Sequence, residues 1–190
     1  RDVTGVQTCA LPISSMFDGG GSAVRLLRET LNRHGIPIRL VAAGDRWELG
    51  KSAAIEVLHP AGDRTSKSDN AGSLVLLVEY LGRRILLTGD LESPGTERLL
   101  ATRPRRCEVM LAPHHGSRKS NSPQLAAWCQ PRWVVFSGDG RWNIPAVEKT
   151  YRAVGAETFW TSERGAITVR VDSSGVRVTP FHGDVSDCRR

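Results

Sequence analysis

Two short segments of this chain place metal-seeking side chains directly after apolar runs. Leu86-Leu87-Thr88-Gly89-Asp90 ends a hydrophobic stretch in a glycine turn and a carboxylate. Met110-Leu111-Ala112-Pro113-His114-His115-Gly116-Ser117 ends another in adjacent imidazoles. An acid or imidazole just past a buried strand is held rigidly yet reaches the open edge of a sheet, where ligand and catalytic groups are commonly placed. Carboxylate and neutral imidazole both suit zinc or manganese, and one aspartate can bridge two cations with its two oxygens. Each segment alone has a plainer reading, the aspartate as a turn former and the histidine pair as incidental. Their joint occurrence is what suggests metal-assisted hydrolysis. A serine hydrolase is disfavoured, because the sequence contains no G-x-S-x-G elbow.

Such groups need a scaffold, and the sequence spells out a mixed one. A helix begins at Ser22, a suitable N-cap, and carries Val24, Leu27 and Leu31 on one face until His34-Gly35 and Pro37 end it. Short strands are expected at residues 38–42, 46–49 and 53–58, and a polar loop at 60–72. Residues 73–80 and 83–88 read as a hairpin closed by Leu81-Gly82. Residues 107–112 and 133–137 look like buried strands. Ser122-Pro123 opens a helix running to Cys129, and Ile144, Val147, Tyr151 and Val154 recur at helical spacing before Gly155. Strands at 156–160, 165–171 and 176–179 close the chain. Strand-rich first, then alternating strand and helix, this pattern predicts an α/β or α+β sandwich. The Gly19-Gly20-Gly21 run lacks the Lys-Ser/Thr of a Walker loop and reads as a linker.

At 190 residues, with 39% hydrophobic and 24% charged, the chain has the composition of a globular domain or a large piece of one. No run approaches the roughly 18 apolar residues that suggest a membrane span. Lys and Arg outnumber Asp and Glu by 26 to 20, a surplus that favours polyanions or reflects scattered solvated charges; Arg103-Pro104-Arg105-Arg106 is the one tight cluster. Cys9, Cys107, Cys129 and Cys188 have no CxxC spacing, and the middle two lie in apolar stretches as small core residues. Residues 1–13 (RDVTGVQTCALPI) match no signal-peptide pattern, resemble translated adaptor sequence and are set apart as non-native. The expected organisation is this 1–13 segment, a partial domain at 14–182 and a polar tail at 183–190.

Together the motifs resemble the second half of the metallo-β-lactamase superfamily, most of all the C-terminal hydrolase domain of ComEC-type competence DNA-uptake proteins. The resemblance rests on 68–75 (SDNAGSLV), 87–92 (LTGDLE) and 112–117 (APHHGS), with 134–138 (VVFSG) and 161–167 (TSERGAI) in the same order and spacing. It implies a metallo-β-lactamase αββα sandwich, represented by its second half and part of its first, and incomplete at the N-terminus. It implies that Asp90 bridges two divalent metal ions, zinc or manganese, that His115 ligates one of them, and that His114 contacts the scissile phosphate or protonates the leaving group. Asp69 and Asn70 fall in the loop where relatives place a further ligand, and Ser117 and Ser120 line the cleft or brace the loop. The family's HxHxDH cluster is absent, which fits a chain cut at its start, with weak metal binding and little turnover as the consequence. Asn143-Ile144-Pro145 stands where many relatives have His-Pro.

The activity so implied is that of a phosphodiesterase or nuclease in DNA uptake. Its partners would be DNA and the membrane channel of the same parent protein, and its place the bacterial cell envelope or, alternatively, the cytoplasm. A non-catalytic DNA-binding or scaffold module, and a hydrolase of small lactones or phosphoesters, remain alternatives. His34, His59 and His182 read as structural or solvated.

Overall fold

The structure is a computed structural model and describes residues 13–15, 22–62, 68–138 and 144–181. It opens with a small unit in which strand β1 (Ile13–Ser15) pairs in parallel with β2 (Arg39–Val41), helix α1 (Ser22–Arg33) lying between them in the chain. Gly35, at φ 65°, terminates α1, and the Ile36 amide caps back to the Leu31 carbonyl at 2.9 Å. Val41 is fully buried, whereas Leu26 and Leu27 of α1 stand exposed.

The main sheet follows, seven strands laid side by side in chain order. They are β3 (Arg46–Leu49), β4 (Ala53–His59), β5 (Val75–Tyr80), β6 (Arg83–Leu87), β7 (Val109–Leu111), β8 (Trp133–Phe136) and β9 (Glu157–Trp160). From β3 to β6 the strands form an antiparallel meander, and from β6 to β9 each pairing is parallel. The turn from β5 to β6 uses Leu81 and Gly82, both left-handed at φ 50° and 72°, a twist that suits a two-residue hairpin. Parallel neighbours need a crossover. Helices α2 (Gly95–Leu100), α3 (Pro123–Cys129) and α4 (Ile144–Arg152) supply the three crossovers.

These helices cover one face of the sheet. Leu99, Leu125, Trp128, Val147 and Tyr151 pack there on Val75, Leu86, Met110, Val134 and Phe136. Cys107 and Cys129 belong to this core as free thiols. A one-turn helix, α5 (Thr161–Arg164), then leads to the hairpin of β10 (Ile167–Asp172) and β11 (Gly175–Pro180). Ile167, Val169, Val176 and Val178 of the hairpin pack against Val109, Trp133 and Val135 on the opposite face of the sheet. Strand β8 is covered on both sides, and all four of its residues are buried. The architecture is thus a mixed α/β sandwich of a helix layer, a central mixed sheet and a β-hairpin layer.

Three elements, β1, α2 and α5, were not expected from sequence. Helices α2 and α5 have six and four residues, too short to show an apolar period. The strand expected at 107–112 contracts to Val109–Leu111, because the Cys107 amide bonds the Cys129 carbonyl at 3.0 Å instead of a strand neighbour. Ile13, the last residue of the segment set apart as non-native, opens β1. The glycine triplet, Cys9, Asn143, His182 and Cys188 lie outside the described residues. Among the described residues, no helix is long and apolar enough to cross a membrane.

Candidate metal centre

Because β6 and β7 are adjacent and parallel, the loops leaving their C-terminal ends emerge side by side. Two hydrogen bonds tie those loops together. The Thr88 hydroxyl donates to the Leu111 carbonyl at 2.6 Å, and the His114 amide donates to the Gly89 carbonyl at 3.0 Å. Gly89 is left-handed (φ 55°) and sits where a Cβ would already touch Ser73 and the Leu74 carbonyl. Asp90 follows it with its side chain 48% exposed, on the open edge of the sheet.

The second loop is a tight 3-10 turn, Pro113–Gly116, in which both histidines adopt left-handed backbone, His114 at φ 48° and His115 at φ 54°. Non-glycine residues there cost on the order of 1 kcal/mol each, so the surroundings must hold them. Three contacts do so. Gly116 lies against the stacked rings of Phe136 and Trp160, where any Cβ would fall 2.7 and 2.8 Å from ring carbons. The Asn121 amide donates to the Pro113 and Ser117 carbonyls at 3.0 and 2.7 Å. The Tyr151 hydroxyl donates to Asn121 Oδ1 at 2.7 Å. Burial pushes the Tyr151 phenol well above its usual range, which keeps it a neutral donor.

His115 Nδ1 lies 2.7 Å from the Ser137 carbonyl, at the end of β8. A carbonyl only accepts, so Nδ1 carries the proton and, in the neutral ring, Nε2 presents its lone pair. That Nε2 faces Asp90 Oδ1 at 3.6 Å. Orientation of a ligating imidazole by a carbonyl on its other nitrogen is the usual support of a metal-binding histidine. His114 turns the other way, its Nδ1 3.6 Å from Glu92 Oε2. Glu92 in turn accepts from the Ser68 hydroxyl at 3.0 Å.

The remaining sequence candidates divide between rim and interior. Asp69 and Asn70 sit at a 3-10 turn, Asn70–Gly72, which packs on Gly95 so closely that the Ala71 carbonyl leaves no room for a Cβ. Asp69 is exposed, and among the described residues no three acidic, histidine or cysteine groups come together, so it does not join Asp90 and His115. Ser117 and Ser120 are buried within the loop, where their amides bond the His114 and Ser117 carbonyls. This placement favours bracing over lining a cleft. His59 is buried and its Nδ1 lies 3.0 Å from the Ser73 carbonyl, beneath the Gly89 turn.

Sequence reading passed over Glu92, Asn121, Tyr151 and the Ser137 carbonyl. Only Glu92 left a signal. Asp90-Leu91-Glu92 places two acids on either side of a fully buried leucine, so the acids point away from the core together.

Whether these residues fit a divalent cation follows from the donor set. Metal–donor bonds of about 2.0–2.2 Å allow a shared ion between an oxygen and a nitrogen 3.6 Å apart, and the His115 tautomer is the ligating one. The pair therefore fits, but two donors fall short of the three protein ligands usual for a catalytic zinc.

Comparison with known proteins finds relatives among competence proteins. ComE operon protein 3 of Bacillus subtilis is 33% identical over 121 residues, 62% of this chain and 15% of that protein. Competence protein ComA of Neisseria gonorrhoeae is 30% identical over 141 residues, 71% of this chain and 20% of that protein. The chain is therefore similar in sequence to ComEC-type competence proteins. The chain spans only 15% to 20% of the length of these two relatives. A solved structure described as a metal-dependent hydrolase from Parabacteroides distasonis shares 15% identity with it, at a TM-score of 0.48 over 70% of this chain and 61% of that one. No family model matches the chain.

Proposed function

We propose that the chain is the Asp90- and His115-bearing portion of a metal-dependent phosphodiesterase or nuclease domain serving DNA uptake. The observation that carries this reading is His115, which is bonded through Nδ1 to Ser137 and faces Asp90 with Nε2. In this reading, Asp90 and His115 would hold a divalent cation, zinc or manganese, and the second carboxylate oxygen of Asp90 would be available to another. Chemistry supplied by such a bound cation is a water of lowered pKa. His114, oriented beside Glu92, contacts the scissile phosphate or hands a proton to the leaving oxygen. Asp69 and Asn70 border the cleft from the turn docked on α2, and Ser117 braces the histidine loop. Further donors come from other parts of a larger parent protein, whose membrane channel would be the domain's partner and whose setting is the bacterial cell envelope.

The test has two stages. Calorimetric titration of residues 1–190 with Zn²⁺ or Mn²⁺ should show weak binding that Asp90→Asn or His115→Ala weakens by at least about tenfold, as expected for loss of one of few donors. The same chain joined to the upstream residues of its own reading frame should then cleave single-stranded DNA in a metal-dependent manner, and Asp90→Ala should abolish cleavage. An extended, metal-loaded protein without hydrolytic activity would sink the enzyme reading. The incomplete donor set itself favours the second reading, a non-catalytic DNA-binding module, in which Asp90→Ala leaves DNA affinity unchanged.

A further inference from the structure

A second surface lies at the opposite end of the sheet from Asp90 and His115. The strands β6, β7 and β8 are entered through Gly82-Arg83, the 103–108 segment and the 130–132 segment, which together wall a groove of about 740 Å³. Its lining holds Arg83, Arg84, Arg103, Arg106 and Arg132, and one acid, Glu108. Glu108 accepts the Arg84 backbone amide at 2.7 Å and lies 3.8 Å from the Arg83 guanidinium. Arg84 also approaches Glu79 at 3.7 Å. Among the described residues, no carboxylate within 4.0 Å pairs with Arg103, Arg106 or Arg132. All three are exposed. Arg132 is held in place by stacking, its guanidinium 4.1 Å over the Trp133 ring.

The composition of this groove points to its ligand. Every cation in it is arginine, whose planar fork pairs phosphate oxygens two at a time and stacks on flat rings. Arg83 and Arg84, at the start of β6, have Glu108 and Glu79 nearby, whereas Arg103, Arg106 and Arg132 add three like charges at the same rim, so the arrangement gains from a polyanion lying across them. Guanidiniums that stack on flat rings as well as pairing with phosphate suit a single strand with unstacked bases better than a lipid headgroup layer, which offers no rings. We propose that this arginine groove is a docking site for the backbone of single-stranded nucleic acid, separate from the Asp90–His115 pair. Strand β6 runs from Arg83 and Arg84 in the groove to Leu87 before Asp90, three to four steps of about 3.3 Å, so roughly 10–13 Å of strand lies between the two. The groove therefore holds a strand at a distance from the reacting end. The proposal does not rest on the hydrolase reading, since docking here needs neither metal nor turnover.

Fluorescence anisotropy of labelled oligothymidine against the full chain, in EDTA, tests it. Arg103→Gln/Arg106→Gln should weaken binding about tenfold and lower the slope of log affinity against log salt by about 1.4, roughly 0.7 for each phosphate no longer neutralised. Arg132→Ala should weaken binding about threefold. Removing equal charge from α1, as Arg25→Gln/Arg33→Gln, should leave affinity within about twofold; circular dichroism checks that each variant folds. Equal weakening in the groove and α1 variants would mean that net charge alone attracts the strand, and would overturn the proposal. So would unchanged binding in both groove variants. A groove-dependent effect seen on phosphatidylserine vesicles but not on oligothymidine would reassign the surface to a membrane.

Discussion

Asn121 spends both amide hydrogens on the Pro113 and Ser117 carbonyls and its oxygen on the Tyr151 hydroxyl, all inside the protein. Its side chain therefore satisfies three groups that no water reaches, and it bridges the helix layer to the left-handed histidine turn. Leaving buried polar groups unpaired costs about 1–3 kcal/mol. Asn121→Ala is expected to destabilise the fold by about 2–3 kcal/mol, and Tyr151→Phe by about 1 kcal/mol, read as a lower urea midpoint at unchanged m. If the histidine turn depends on this brace, Asn121→Ala also weakens Mn²⁺ binding about tenfold, as removal of an outer support of a ligand does. Normal metal affinity in a destabilised Asn121→Ala protein would show that the brace serves the core alone. Gly116 adds a steric condition to the same turn, since the Phe136–Trp160 stack leaves no space for a methyl group.

Among the elements, α3 shows how a local signal is carried into structure. Ser122 is extended at φ −89° and ψ 156°, its hydroxyl accepts the Leu125 amide at 3.2 Å, and Pro123 occupies the first turn, where an amide would lack a partner. Ser122→Ala should lower stability by about 1 kcal/mol, a downward shift of about 2–4 °C in Tm for a domain of this size. An unchanged melting temperature would mean that the tertiary packing of Leu125 and Trp128, not the cap, holds the helix. The same local chemistry made α3, the Leu81-Gly82 hairpin and the strand-end placement of Asp90 and His115 readable from sequence. The left-handed histidines were not readable, because that conformation is imposed by Phe136, Trp160 and Asn121 from other elements. Nor was Tyr151 beside Asn121, a contact across 30 residues that no periodicity encodes. Helix α2 was missed for a different reason, since six residues carrying one fully buried leucine, Leu99, look the same as a loop.

Across the whole molecule, the candidate site falls where the strand pairing of the sheet changes. The antiparallel meander β3–β6 contributes Asp90 at its last strand, and the parallel half β6–β9 contributes His114, His115 and the Ser137 carbonyl. The parallel half carries the candidate metal-site loops at the exits of its strands and the arginine groove at their entrances. A substitution in one end is therefore expected to leave the chemistry of the other intact.

The seam at β6 also sets an order in time. Meander strands meet neighbours close in sequence, the β5–β6 turn taking only two residues, whereas each parallel pairing must first close a loop through a helix. Loop closure slows contacts between distant residues, so the meander should assemble first. In pulse-labelled hydrogen exchange during refolding, amides of β4 to β6 should gain protection before those of β7 to β9; simultaneous protection across the sheet would refute this order. If the order holds, Asp90 waits on a formed scaffold for a partner that arrives last, and metal present during refolding would speed only the final step.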